Sequence, residues 1–182
     1  ATKGSYSYIE EFAYGKNSKK SSDAYIRKDN NLLVIEAKGF SVLLDCMIKN
    51  ESVEKNNNRM FANPIIQADT CLATVIEVKP EFTGVEDAYI ISVTMDNINA
   101  VPVYYNEIHK NVEAEKKCEK TKYYFNFNIE EYEMLMYLVE QQQDIFGLLK
   151  EYYENEKLKP FSNYLRQKYP ETKMTSFMES VY

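Results

Sequence analysis

The sequence contains no tryptophan and has few glycines, cysteines and histidines. Its five glycines do not fall into a dinucleotide-binding or P-loop pattern, which excludes those two phosphate-binding loops. The three cysteines include no CxxC pair, so neither a zinc site nor a disulfide framework is indicated. The single histidine, His109, excludes paired-histidine metal sites, and we expect it to be a solvated surface residue. The glycines are Gly4, Gly15, Gly39, Gly84 and Gly147, and the cysteines are Cys46, Cys71 and Cys118.

Long hydrophobic runs and a secretory leader are also missing. No apolar stretch approaches the roughly 18 residues that a membrane-spanning helix needs, and no charged-then-apolar segment opens the chain. We therefore expect a cytoplasmic protein with reduced, buried thiols and no membrane partner. The chain begins at Ala1 rather than at methionine, so a further N-terminal region is one expectation.

The remaining composition is that of one folded domain. Apolar side chains make up 45% and aromatic ones 14% of the 182 residues, which is enough to bury a core without disulfides or metal ions. The net charge of −6 argues against binding nucleic acid through bulk positive charge. The acidic excess lies later in the chain, since residues 1–60 carry ten basic and eight acidic side chains.

Hydrophobic periodicity and turn residues predict a mixed α/β fold with strands before helices. Two β-rich segments, Asp23–Lys28 and Leu32–Phe40, flank three turn residues and predict a hairpin. The second segment is almost continuously apolar, as in a strand covered on both faces. The other predicted elements are a polar loop over Gly15–Ser22, a helix from Asn63 to about Val78, a strand over Ala88–Met95, and a charged helical region from Asn111, with a capping box at Asn128–Glu131 and a last helix after Pro160.

Two charged residues interrupt the apolar strand segment. Glu36 and Lys38 are two positions apart, so their side chains lie on the same face as Val34. Charged groups avoid apolar surroundings unless they are paired or bound to something. With a hairpin turn centred on residues 29–30, Asp23 lies opposite Glu36. Two carboxylates so placed favour a shared proton, a nearby cation or a metal ion, and oxygen donors suit Mg²⁺.

At these residues the sequence resembles the PD-(D/E)XK nuclease superfamily, which has the restriction-endonuclease-like fold. The family signature places an acid on one strand of a hairpin and Glu-X-Lys on the next, matched here by Asp23 and Glu36-Ala37-Lys38. The resemblance implies that Asp23, Glu36 and the Ala37 carbonyl bind Mg²⁺, with Mn²⁺ able to replace it. It also implies that Lys38 assists the water that attacks a phosphodiester, and that Gln67, on the following helix, is the glutamine many members add.

The resemblance covers residues 5–95 and implies a mixed central sheet flanked by helices. Its element order is strand–loop–strand–strand–helix–strand. We expect one domain, with a nuclease-like α/β core over residues 1–110 and a helical C-terminal extension over residues 111–182 packed on that core. Two features of the family are not matched: Ser22 stands where a proline precedes the acid, and Cys71 stands where some lineages have a tyrosine.

Basic residues near the acid predict the nucleic-acid contacts. Lys16, Lys19 and Lys20 lie on the loop that leads to Asp23, and Arg27 lies near the hairpin tip, so all four could meet phosphates. An equally open alternative is a flexible, solvated loop. The expected substrate is DNA, with RNA as the alternative. By analogy with the family, a homodimer and a host-defence role are compatible with the sequence.

Two alternatives to a catalytic site remain open, and a second copy of the tripeptide pattern has to be accounted for. Lys38 could form an ordinary salt bridge with Glu36 or Asp23 at a sheet edge. A second Glu-X-Lys copy at Glu77-Val78-Lys79 follows a predicted helix without an acid-bearing hairpin, so we interpret it as a helix end. The domain could also be a catalytically inactive nuclease-like module that binds nucleic acid or protein.

Several other polar residues have more ordinary interpretations. Asp45 and Asp69 could supply an outer carboxylate, but isolated acids near strand and helix ends are usually caps or surface groups. The tyrosine-rich tracts Tyr123–Phe127 and Tyr152–Tyr153 could stack on bases, and we favour a core position for both.

Overall fold

The computed structural model describes residues 4–39, 58–95 and 102–170. Its strands are β1 Ser7–Glu10, β2 Ala13–Tyr14, β3 Lys19–Lys20, β4 Ala24–Lys28, β5 Asn31–Lys38, β6 Asp87–Thr94 and β7 Thr121–Asn128. Its α-helices are α1 Asn63–Val75, α2 Pro102–Glu115, α3 Ile129–Glu140, α4 Ile145–Asn155 and α5 Phe161–Lys168. A π-helical turn over Asn58–Ala62 leads into α1, and a short 3-10 turn over Pro80–Phe82 follows it.

Five strands form one mixed sheet in the order β1-β4-β5-β6-β7. The pairs β1–β4 and β4–β5 are antiparallel, whereas β5–β6 and β6–β7 are parallel. Parallel neighbours require crossover connections, and the described parts of these crossovers contain α1 and α2. The strand β5 is therefore central, which explains why its sequence is apolar on both faces. The predicted mixed α/β fold, with a central sheet flanked by helices, is confirmed.

Each face of the sheet supports its own hydrophobic core. On one face, Leu33 and Ile35 of β5 pack with apolar residues of α3, α4 and α5. On the other face, Leu32 and Val34 pack with residues of α1 and α2. Because side chains alternate along a strand, Glu36 continues the row of Leu32 and Val34 on the α1 face.

The predicted hairpin and its register are confirmed. Ala24 pairs with Ile35 and Lys28 with Asn31, so the turn consists of residues 29 and 30. Asp29 adopts a left-handed conformation with φ of 53°, which aspartate tolerates and tight hairpins require. Phe40, the predicted end of the second strand, lies outside the described residues.

The predicted bounds of one helix and one loop differ clearly from the structure. The helix α1 ends at Val75, before the predicted Val78, and Lys79 is extended with ψ of 115°; the residue before a proline disfavours the helical region, and Pro80 follows. The predicted loop over Gly15–Ser22 contains a strand, because β2 and β3 pair as a small hairpin. The second Glu-X-Lys copy lies just after the end of α1, as its interpretation as a helix end implied.

The prediction of a wholly helical region after residue 110 is wrong in one respect. The segment β7 pairs with β6 along its length and completes the main sheet. A boundary at residue 110 would also cut α2. The tyrosine-rich tract forms this strand, which explains why Tyr124 and Phe125 are buried. The predicted capping box is present, since Asn128 accepts from the Glu131 N–H and the Glu131 carboxylate accepts from the Asn128 N–H.

Cys71 and Cys118 are buried free thiols, whereas Cys46 lies outside the described residues. None of the helices in the described ranges combines the length and apolarity needed to cross a bilayer.

Candidate functional site

The hairpin register brings Asp23 and Glu36 to the same end of β4 and β5. Asp23 immediately precedes β4, whose first residue, Ala24, pairs with Ile35. The next position along each strand therefore places Asp23 across from Glu36. Asp23 is exposed, and its Oδ2 accepts a hydrogen bond of 2.7 Å from the backbone N–H of Ala37. This bond fixes the Asp23 carboxylate against β5 and leaves Oδ1 for another partner.

Lys38 joins the strand site to helix α1. Its ammonium donates to Glu36 Oε1 at 3.0 Å and to Gln67 Oε1 at 3.4 Å. Gln67 is exposed in the first turns of α1. This helix begins at Asn63-Pro64 and packs on the face of the sheet that carries Leu32 and Val34. The ion pair foreseen as an alternative does exist, but it lies on the central strand and not at a sheet edge.

Glu36 is buried at the end of an apolar row, with 8% of its surface exposed. Burial raises the pKa of its carboxyl because the charged form loses hydration, and the nearby Asp23 charge adds to this rise. Lys38 opposes the rise by donating to the carboxylate and by its positive charge. The ionised form of Glu36 is therefore stabilised by the Lys38 ammonium. A second cation bound at the same carboxylate would stabilise the ionised form further.

The donor set suits a hard divalent cation. Asp23 and Glu36 supply carboxylate oxygens from adjacent strands, as Mg²⁺ prefers. The N–H of Ala37 points toward Asp23, and in a strand the C=O of the same residue points to the same side. The Ala37 carbonyl therefore lies on the same edge of β5 as its N–H, the edge toward β4. Within the described ranges no group of three histidine, cysteine or acidic side chains forms a metal cluster, so backbone, water or substrate oxygens would complete this coordination.

Two buried serines lie beside Glu36 and were not predicted as site residues. Ser92 on β6 is the direct register partner of Glu36 and is fully buried. Ser22 immediately precedes Asp23 and is 2% exposed. The Ser92 hydroxyl makes no hydrogen bond to the described part of the chain. The Ser22 hydroxyl lies close enough to Glu36 to lower the pKa of its carboxyl. The available signal for Ser92 was a hydroxyl inside the otherwise apolar run of β6, since buried polar groups require partners.

A pocket of about 570 Å³ opens over Glu36. One side is formed by Gln67, Thr70 and Cys71 of α1, and the other by residues of the β2–β3 hairpin. Two of the predicted phosphate-binding residues, Lys19 and Lys20, line this pocket, whereas Lys16 lies in the hairpin turn. The full lining is Tyr14, Lys19, Lys20, Ser21, Ser22, Glu36, Gln67, Thr70 and Cys71.

Arg27 does not line the pocket and instead forms hydrogen bonds within the chain. Its guanidinium donates to the carbonyls of Asp29, Glu81 and Thr83 at 2.9, 2.6 and 2.6 Å. These carbonyls lie near the hairpin turn, at the opposite end of β4 from Asp23. Three of its N–H groups donate within the chain, so Arg27 braces the segment after α1, and it does not line the pocket that Lys19 and Lys20 line.

His109 and Asp69 are not the surface groups expected from the sequence. His109 is half-buried, and its Nδ1 lies 2.9 Å from the Tyr124 hydroxyl. Burial lowers the pKa of its imidazole to about 4. Asp69 is fully buried in α1, where Oδ2 accepts from the Lys117 N–H at 2.6 Å and both oxygens lie 3.3 Å from the Cys118 N. Asp45 lies outside the described residues.

Known proteins provide a fold comparison only. No protein-family model and no curated protein sequence matches the chain. Among solved structures, the chain is similar to the small subunit of a heterodimeric restriction endonuclease, with 12% identity and a TM-score of 0.41. The similarity covers 88% of this chain and 76% of that subunit. The assignment of the site therefore rests on the contacts of Asp23, Glu36, Lys38 and Gln67.

Proposed function

We propose that this protein is a metal-dependent nuclease that hydrolyses phosphodiester bonds in DNA at the Asp23–Glu36 site. The observation that supports the proposal most directly is the Lys38 ammonium between Glu36 and Gln67, beside a second carboxylate. Glu36 lines a pocket together with the basic side chains of Lys19 and Lys20, and Asp23 and Lys38 lie beside Glu36. This arrangement suits a substrate that carries negative charge.

The metal ligands would be Asp23, Glu36 and the Ala37 carbonyl. A cation bound there supplies Lewis-acid polarisation of the scissile phosphate and a lowered pKa for the attacking water. Glu36 contributes a buried negative charge whose solvation is incomplete without a cation. Asp23 is held ready by the Ala37 N–H, so its carboxylate needs little rearrangement to bind.

Lys38 and Gln67 act on the reacting groups. During hydrolysis the water oxygen bonds to phosphorus, the bond to the leaving oxygen breaks, one water proton is lost to solvent and the leaving oxygen gains a proton. The Lys38 ammonium can donate to a phosphate oxygen as negative charge develops, which stabilises the transition state. Gln67 holds that ammonium from the helix side and presents an amide that can orient water.

One observation favours the alternative of a non-catalytic binding module. In the described ranges Lys38 already neutralises Glu36, and no third acidic side chain joins the pair. Such a module would bind its partner without needing a divalent cation near Asp23. A magnesium isotherm that is lost in Glu36→Ala would exclude it.

Cleavage assays test the proposed function. Plasmid and single-stranded DNA are incubated with Mg²⁺, Mn²⁺ or EDTA, and we expect cutting with either metal and none with EDTA. Lys38→Ala should lower the rate by roughly a hundredfold or more while the fold stays intact, because an electrostatic donor at the transition state is lost.

The second Glu-X-Lys copy provides a matched control. Lys79→Ala changes the same residue type in the same tripeptide pattern, beyond the other end of α1, where Lys79 pairs with Glu81 and contacts the Phe12 ring. Its rate per folded molecule should equal that of the unchanged protein. Cleavage that survives Lys38→Ala would refute the assigned site, and the absence of cleavage together with the absence of metal binding would refute the nuclease.

A further inference from the structure

The pocket over Glu36 is enclosed by two walls that come from distant parts of the chain. The helix α1 contributes one wall, and the β2–β3 hairpin contributes Tyr14, Lys19 and Lys20 to the other. The floor contains Glu36, of which only 8% is exposed. A group that reaches the Glu36 carboxylate must therefore pass between helix and hairpin.

The hairpin wall is anchored at its base. Ser21 N–H donates to the Phe12 carbonyl at 2.8 Å, and the Phe12 N–H donates to Ser21 Oγ at 2.9 Å. The Phe12 ring packs against Tyr25 and Phe82, with ring centroids 5.7 and 6.0 Å away. Because its base is fixed in the core, the hairpin holds a defined position beside the site.

Tyr14 of the hairpin and Cys71 of α1 both line the pocket. Burial raises the pKa of the Tyr14 hydroxyl, and the nearby Cys71 thiol acts in the same direction. The ring lines the pocket while remaining partly exposed. An aromatic ring held in this way can stack on a nucleobase with little loss of side-chain freedom.

The hairpin also supplies the positive charge of the pocket. Lys19 and Lys20 are both exposed on β3, and Lys20 also pairs with Glu11 at 3.0 Å. Phosphates on either side of a bound nucleotide would meet these ammonium groups, since phosphate contacts come mainly from lysine and arginine. The pocket thus combines an aromatic surface, two cations and an acidic floor.

From this arrangement we infer that the pocket takes a nucleotide of an unpaired DNA strand, so that single strands are bound in preference to duplex. The inference rests on the proposed function, because it names the strand that the Asp23–Glu36 site would cut. A pocket of about 570 Å³ is in the size range that holds one small ligand. A base within a duplex would first have to be unstacked and unpaired, which costs free energy that an unpaired strand does not have to supply.

Binding of labelled oligonucleotides tests the inference. Fluorescence anisotropy is measured with a single strand and with its duplex, using Ca²⁺ in place of Mg²⁺ so that binding is read without turnover. We expect the single strand to bind at least about tenfold more tightly than the duplex, because an unpaired base can stack on the Tyr14 ring and a paired base cannot. Equal affinity, or tighter binding of the duplex, would overturn the inference.

Matched variants test the hairpin wall of the pocket. Tyr14→Ala should weaken single-strand binding about tenfold, whereas Tyr14→Phe, which keeps the ring, should stay within about threefold. Lys19→Ala and Lys20→Ala should each reduce the slope of log affinity against log salt by about 0.7. Lys122→Ala, an exposed lysine on the edge strand β7, should leave that slope unchanged. Unchanged binding in Tyr14→Ala and in both lysine variants would contradict a role of the hairpin.

The binding experiment and the cleavage experiment can contradict their two proposals independently of each other. Duplex preference together with metal-dependent cutting would overturn the unpaired-strand inference and leave the nuclease proposal in place. Single-strand preference without metal-dependent cutting would keep the assigned ligand and refute the nuclease.

Discussion

Asp23 Oδ2 accepts a 2.7 Å hydrogen bond from the Ala37 N–H, which ties the acid before β4 to the middle residue of the Glu-X-Lys segment. The acid and the tripeptide are thus connected by the backbone as well as by the sheet register. Since strand residues present N–H and C=O on one side, the same bond indicates the direction of the Ala37 carbonyl.

Asp23→Asn should remove the charge of this residue and keep the hydrogen bond that it accepts from Ala37. The amide oxygen can still accept from Ala37, so the free energy of unfolding should change by less than about 1 kcal/mol, while metal affinity and cleavage fall sharply. Asp29→Asn, at the turn of the same hairpin, is the control, because asparagine also tolerates its left-handed conformation. Denaturation with EDTA and cleavage with Mg²⁺ are measured in parallel, and normal cleavage by Asp23→Asn would contradict a metal-binding role.

Glu36→Gln should abolish stabilisation by magnesium. A cation at about ten times its dissociation constant stabilises the fold by roughly 1.4 kcal/mol, or about 3–5 °C in Tm for a chain of this size. We expect this shift in the unchanged protein and in Glu77→Gln, which alters the exposed glutamate of the second tripeptide copy. A magnesium-dependent rise in the Tm of Glu36→Gln would place the cation elsewhere.

Arg27→Ala should lower stability without affecting single-strand affinity. The guanidinium donates to three backbone carbonyls, and their loss should cost about 2–3 kcal/mol. Urea denaturation measures the first effect, and anisotropy with an unpaired oligonucleotide measures the second. An affinity loss comparable with that of Lys19→Ala would return Arg27 to the nucleic-acid surface.

His109 should make the fold less stable in acid. Burial lowers the pKa of His109 to about 4, with the Lys157 charge acting in the same direction and Glu113 opposing it. The folded state therefore disfavours protonation, and this stabilisation is complete above about pH 6.5 and is lost as the pH falls toward 4. The loss should be about 1–3 kcal/mol, because each pH unit between the two pKa values is worth about 1.4 kcal/mol and partial exposure of the ring to solvent reduces the total.

The difference between the unchanged protein and His109→Gln isolates this effect from the carboxyl groups. Glu131, whose pKa is raised by burial, acts in the opposite direction, because its stabilisation is complete below about pH 4.5 and is lost as the pH rises through the raised pKa. Urea denaturation from about pH 7.5 to 4.5 gives both curves. Parallel curves would show that His109 does not titrate differently in the folded state.

Asp69→Ala should destabilise the fold by about 3 kcal/mol, because it leaves the amides of Lys117 and Cys118 without their carboxylate acceptor in a buried setting. Asp69→Asn should cost less, since one oxygen remains. Glu119→Gln, an exposed neighbour of the same loop, is the control. Equal stability of Asp69→Ala and Glu119→Gln in denaturant would contradict the structural role of Asp69.

Local patterns in the sequence predicted a large part of the fold. The run of apolar residues in β5 predicted a strand covered on both faces, and the turn residues predicted the register that sets Asp23 across from Glu36. The capping box at Asn128 predicted where α3 begins. Such features depend on neighbours within a few residues, and strand alternation and helix capping act over that range.

The segment of β7 is rich in threonine, tyrosine and phenylalanine, which favour strands, and the prediction of a helical region overlooked this signal. The charged helical segment before it and the helices after it suggested a helical region, yet Thr121–Asn128 pairs with β6. Strand formation there depends on the free edge of β6, which lies in an earlier part of the chain, before α2. Tertiary context decides such cases because β-propensity is weak without a partner strand.

Alternation along a strand follows from backbone geometry, so the sequence alone predicted which face of β5 carries Glu36 and Lys38. The contact of Gln67 with Lys38, the position of the β2–β3 hairpin beside Glu36, and the burial of Asp69 and partial burial of His109 are visible only in the folded chain. These relationships join segments far apart in the chain. They arise from the packing of helices and hairpins against the sheet, which no local periodicity specifies.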